Sequence, residues 1–259
     1  MNAAVLVLAT VVVIAAAVRS TWSPCGLSML STITPVTERS RGHRYPVTAT
    51  WFVVGAVAGG ATLGAGIAAL TLAVRATGWS TATGLGIAAA LAAAAAWVDA
   101  GVLGRQPPFF KRQVADAWLG RYRPWVYGIG FGWQIGVGLA TYIMTAAVLL
   151  LVALAALTGS PLLAFALGVL FGFARGLAVL LSAGLTTPAA MRALHDRLDG
   201  LEAPVRHCIV GIQALVATVA AGVAWGPLAG AAAAVLVAAP IAAGAGIVGG
   251  RRRAIGSPD

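Results

Sequence analysis

Seven long stretches of this chain run almost without charge. A helix needs roughly 20 apolar residues to cross a bilayer, so stretches of this kind constrain the fold more than any motif does. They are Asn2–Pro35, Val47–Val74, Ser80–Leu103, Val126–Leu157, Pro161–Leu185, Pro204–Trp225 and Leu228–Gly249. A soluble domain covers itself with about 25% charged residues. This chain has 9%, with 60% hydrophobic residues and a mean hydropathy of +0.92, so lipid must cover much of it. The expected fold is an all-α integral membrane protein of about seven transmembrane helices. Gly and Ala dominate the runs, and small residues let such helices approach closely. Met1–Val18 has the apolar character of a signal peptide but no basic n-region and no A-x-A site, and is read as part of the first segment.

The net charge of +10 points to topology, not to nucleic acid. The basic residues are spread over short loops, with no basic face or aromatic platform. Alternating the loops puts four groups on one side: Arg39, Arg41 and Arg44; Arg105, Lys111, Arg112, Arg121 and Arg123; Arg192, Arg197 and Arg206; and Arg251–Arg253. The other side has Arg75 alone. The positive-inside rule makes the rich side cytoplasmic. The chain is therefore expected in the cell membrane as a multi-pass protein, N-terminus outside and C-terminus cytoplasmic.

The second and fifth segments share a pattern. Phe52-Val-Val-Gly55-Ala-Val-Ala-Gly59 and Phe165-Ala-Leu-Gly168-Val-Leu-Phe-Gly172 are both F-x-x-G-x-x-x-G. Four-residue spacing puts both glycines on one helix face. Trp22 precedes the first copy and Trp133 the second. This divides the chain into a three-helix repeat at 1–103, a cytoplasmic loop at 104–125, a second three-helix repeat at 126–225 and a C-terminal helix with a basic tail at 226–259. Three is odd, so the second repeat is expected upside down relative to the first, a plan that recurs in transporters.

Trp22-Ser23-Pro24-Cys25-Gly26-Leu27 is the most informative motif. Pro24 removes a helix hydrogen bond and Gly26 loosens the backbone beside it. The first segment is expected to break there, facing protein or a wet cavity, with the Cys25 thiol within reach. Ser23-Pro24-Cys25, Leu27, Pro35, the short basic loop and Phe52-x-x-Gly55 together resemble the first half of the CcdA/DsbD transmembrane family. Trp133 and Phe165-x-x-Gly168 extend the resemblance to the second repeat. It implies thiol–disulfide electron transfer across the membrane, from a thioredoxin-like partner to extracytoplasmic thiol proteins, in disulfide reduction or cytochrome c biogenesis. It also implies one cysteine per inverted repeat. Here the second repeat departs: Trp133 leads into Gln134-Ile135-Gly136, with neither proline nor cysteine. Cys208, beside Arg206 and His207, is the candidate substitute partner for Cys25, or else a small buried side chain.

Other polar residues suit a cavity. Arg175 falls near the centre of the fifth segment, where a charge is costly and marks a functional site or a structural ion pair. Arg19 lies close to the Pro24 break, and Gln134 in the fourth segment. Asp99 is the acidic residue inside a segment. There is no H-E-x-x-H, no clustered His/Cys set and no phosphate loop, so no metal or cofactor is expected. Three functions stay open: thiol redox of the CcdA/DsbD type with Cys25 and Cys208 catalytic; a small-solute transporter on the same bundle, with Pro24, Arg19, Arg175 and Gln134 at the site; or a non-catalytic membrane subunit.

Overall fold

The computed structural model describes residues 3–102 and 122–255, with side chains over 5–102 and 122–243. The expected loop residues Arg105, Lys111, Arg112 and Arg121 lie outside them. Every regular element described is helical: α1 (Ala3–Arg19), α2 (Pro24–Thr32), α3 (Pro35–Ser40), α4 (Tyr45–Ala76), α5 (Thr81–Ala100), α6 (Pro124–Val137), α7 (Ala147–Leu157), α8 (Pro161–Leu177), α9 (Pro188–Trp225) and α10 (Pro227–Ile255). Short 3₁₀ turns cover Ser20–Trp22 and Ala178–Ser182. Val5–Trp22, Tyr45–Ala76, Thr81–Ala100, Pro161–Ser182 and Pro188–Trp225 are long and apolar enough to cross a membrane. Ala147–Leu157 and Pro227–Ala243 are shorter apolar helices. The chain is a helical integral membrane protein.

The helix starts are written locally. Ser23, Thr34, Ser160 and Thr187 each cap a helix whose first residue is proline, and each side chain accepts a hydrogen bond from a first-turn amide. Proline lacks the N–H that a first turn leaves unused, so the pairing costs nothing. Ser80 caps α5 in the same way.

Helix α4 is the hub, and glycine makes it so. A Cβ on Gly55 would lie 2.2 Å from the carbonyl oxygen of Ile129, and one on Gly59 2.2 Å from that of Trp133. From α6, Gly132 and Gly136 would meet the carbonyls of Phe52 and Ala56 at 2.1 and 2.0 Å. Residue numbers rise together on both helices, so α4 and α6 run parallel. On another side of α4, Gly60 meets Gly168 and Gly172, and Gly64 meets Phe165. Here one number rises as the other falls, so α8 runs antiparallel to α4. The two F-x-x-G-x-x-x-G copies thus pack on each other in opposite directions. Helices α5 and α9 are also antiparallel: Gly86 packs on the Trp225 ring, and Asp99 meets Gln213.

Two segments differ from the expected spans. Val126–Leu157, expected as one span, is two short helices, with irregular backbone between Val137 and Ala147. Gly138 ends α6 with a φ of 70°. The span expected at Pro204–Trp225 begins earlier, because α9 runs unbroken from Pro188 through Pro204. The expected break at Ser23-Pro24 is present between the 3₁₀ turn and α2. A Cβ on Gly26 would lie 2.3 Å from the carbonyl of Thr21, so only glycine fits the turn.

Candidate functional site at the helix breaks

Two charged residues hold the break between α6 and α7. The Nη1 of Arg175, in the last turn of α8, donates to the Ile135 carbonyl at 2.7 Å. That carbonyl is in the final turn of α6, where partial negative charge collects. Asp99, in the last turn of α5, faces the start of α7, where partial positive charge collects. It accepts from the Thr145 hydroxyl at 2.5 Å, the Ala146 amide at 2.8 Å and the Gln213 amide at 2.8 Å. Both charges are buried, at 3% and 6% exposure. Irregular backbone at membrane depth must be satisfied by protein, and these two side chains do it with the sign each helix end requires.

Arg175 has capacity left over. Its Nη2 has no hydrogen-bond partner among the described residues. Its guanidinium lies 5.6 Å from the centre of the Phe171 ring, and through Ile135 it borders the cluster that holds Cys25. Cys25 is fully buried, one residue into α2, in an apolar cluster with Met29, Phe52, Phe131, Ile135 and Leu198. The cluster therefore joins the broken first segment to Ile135, in the last turn of α6.

The other expected site residues are scattered. Pro24 starts α2 and is half-buried. Gln134 is half-buried near the end of α6. Arg19 is buried at the end of α1 and donates through Nη2 to Glu202 at 3.1 Å, while its Nη1 has no partner among the described residues. Arg19, Asp99, Thr145, Glu202 and Arg206 line a small polar cavity of about 70 Å³. Cys208 is elsewhere. It is exposed on α9 and lines an apolar groove with Val11, Ile14 and Val18 of α1. Arg19 and the Arg175–Cys25 group thus occupy separate surroundings, and so do the two thiols.

A third polar centre was not singled out by sequence. Glu38, at the short α3, is fully buried. Arg41 donates to its Oε1 at 2.9 Å, Tyr127 donates to its Oε2 at 2.5 Å and Thr48 donates to the same oxygen. His43 Nδ1 is 4.0 Å from that oxygen. The network ties the loop before α4 to the start of α6. The signal available was Glu38 itself, an acidic residue between Pro35 and the arginines of a basic loop.

No family model matches the chain, and no solved structure matches it. The methylamine utilization protein MauF of Paracoccus versutus is 32% identical over 170 residues. The alignment covers 63% of this chain and 60% of the length of MauF. The molecule is a helical membrane protein with charged residues at its helix breaks, similar over three fifths of its sequence to a methylamine utilization protein.

Proposed function

We propose that this chain is a membrane-embedded accessory protein on a CcdA/DsbD-type scaffold, with Cys25 as its thiol-exchange group. The observation that carries the reading is the buried cluster that packs Cys25 of α2 against Phe52 of α4 and Ile135 of α6, whose carbonyl holds Arg175. In the exchange, the Cys25 sulfur attacks the disulfide of an extracytoplasmic protein. One sulfur of that protein leaves as a thiolate and a mixed disulfide forms. One thiolate of a thioredoxin-like reductant attacks the Cys25 sulfur, and the second sulfur of the extracytoplasmic protein leaves as a thiolate. The reductant's other thiolate then displaces Cys25, so the reductant supplies the two electrons and ends as a disulfide. Arg175, held on the Ile135 carbonyl at the edge of this cluster, supplies a positive charge that favours the thiolate. Cys208, on a separate groove, is not the resolving thiol in this scheme. Similarity to MauF supports a role in the utilization of methylamine or a comparable amine.

The test is a trap. In membranes, wild-type protein is expected to yield a mixed disulfide with a single-cysteine thioredoxin-like bait, and Cys25→Ser none. Cys208→Ser is expected to leave the yield unchanged. Equal trapping by the wild type and Cys25→Ser would exclude thiol exchange.

A second reading has its own support. A discontinuous span with opposite charges at its two inner ends is a plan used to bind solutes near the midplane. On that reading Arg175→Ala abolishes solute uptake and Cys25→Ser is nearly silent.

The proposed orientation is N-terminus outside and C-terminus cytoplasmic, supported by the charge asymmetry of the loops. An impermeant maleimide added outside is expected to label cysteines placed at Gly159 and not those placed at Gly42. The reverse order would overturn the orientation.

A further inference from the structure

Helix α9 has 38 residues, about 57 Å at 1.5 Å per residue, against a hydrocarbon core of about 30 Å. Its two parts are held very differently. From Ile209 onward it is a membrane helix, with Ile209, Val210, Gln213, Val216, Ala217, Ala220 and Ala221 buried. Between residues 186 and 208 one side chain is buried, Leu198. That side chain belongs to the Cys25 cluster, with Leu194 packed partly against it. Three polar links fasten the same stretch to the first segment. The Trp22 indole donates to the Leu198 carbonyl at 2.8 Å. The Ser31 hydroxyl and His195 Nε2 lie 3.1 Å apart. Arg19 pairs with Glu202, whose side chain is 53% exposed.

The junction between the two parts is weak by construction. Pro204 lacks an N–H, so the Gly200 carbonyl, one turn earlier, gets no helical hydrogen bond. Gly200 has open space around it and no side chain to restrain it. A proline four residues after a glycine is a recognised place for a helix to bend. A segment held by one buried side chain and three half-buried polar links opens locally at lower cost than the buried bundle.

We propose that Pro188–Ala203 is a hinged lid over α2, pivoting at Gly200–Pro204, and that its opening admits the thioredoxin-like reductant to Cys25 from the side that carries Arg192 and Arg197. The lid solves a geometric difficulty, since Cys25 is fully buried and no protein partner reaches it in the closed form. The same motion parts Arg19 from Glu202 and widens the small polar cavity they line. The lid does not depend on whether Cys25 exchanges electrons, because its test reads accessibility alone.

The test uses the full chain with Cys208→Ala, which leaves Cys25 as the sole cysteine. Uptake of N-ethylmaleimide is followed by intact mass. Cys25 is expected to label slowly in this background. His195→Ala and Glu202→Ala each remove one link at a surface position, and each is expected to speed labelling about fivefold, the effect of one lost hydrogen bond on an opening equilibrium. Pro204→Ala restores the missing N–H and is expected to slow it. A cysteine placed at the buried Ala220, in chains with Cys25→Ser, reports loosening of the whole bundle and is expected to stay unlabelled in every lid variant. Equal rates across the variants, no slowing in Pro204→Ala, or an Ala220 reporter that labels in step with Cys25 would each overturn the lid.

Discussion

Gly132→Ala is expected to destabilise the protein by about 3 kcal/mol, near the upper end for overpacked sites. The added Cβ lies 2.1 Å from the Phe52 carbonyl oxygen and 2.9 Å from the Ala56 amide nitrogen. Backbone atoms of a continuous helix cannot rotate away as a flexible side chain can. Helices α4 and α6 must instead separate by more than an ångström, which opens gaps along their contact. Gly136→Ala and Gly172→Ala are expected to act similarly, because both would strike the Ala56 carbonyl, from opposite helices. Gly66→Ala, on the same α4 but with open space around it, is the control. It is expected to be neutral or stabilising by a few tenths of a kcal/mol, since alanine favours helix. Thermal unfolding in detergent measures the series. Equal losses at Gly132 and Gly66 would show that the close approach of α4 and α6 carries no energy.

Asp99→Ala is expected to cost about 4 kcal/mol, and Asp99→Asn roughly half that. Alanine leaves the Thr145 hydroxyl, the Ala146 amide and the Gln213 amide without their acceptor, all of them buried. Asparagine keeps one carbonyl oxygen but loses the charge that faces the positive end of α7. Chymotrypsin cleavage after Leu139 or Tyr142 reads the effect directly, because loss of the cap frees that backbone. Identical behaviour of the two variants would mean that hydrogen-bond satisfaction plays no part at this site.

The membrane fold was legible because its signals are long and redundant. Charge-free runs gave the helices. The Ser23-Pro24 break was legible because a proline that removes a helix hydrogen bond and a glycine beside it sit inside an apolar run. The break after Val137 was not. Gly136 and Gly138 look like other small residues of a Gly-rich span, and the freed Ile135 carbonyl is satisfied by a guanidinium from 40 residues later. The outer part of α9 was missed for a different reason. Its charged residues resemble a loop, and Pro204 resembles a helix start, yet packing of Leu198 and three polar links keep the segment helical. At the candidate site, Cys25 and Arg175 stand out singly in the sequence. Their meeting in one place depends on how α2 and α8 pack and is not written in either segment.

The divided α6–α7 segment also constrains how the chain is made. At 14 and 11 residues these helices are about 21 Å and 17 Å long, so neither alone spans the hydrocarbon core. Asp99 is synthesised before α7 and is waiting when the Thr145–Ala147 turn emerges. Arg175 comes 40 residues after Ile135, which at 5–20 residues per second is a delay of roughly 2–8 s. During that interval the end of α6 has no cation to close it. The nascent segment must linger beside the insertion machinery or at the wet membrane boundary until α8 arrives, which makes α8 the clasp that commits the second half of the protein to the bilayer.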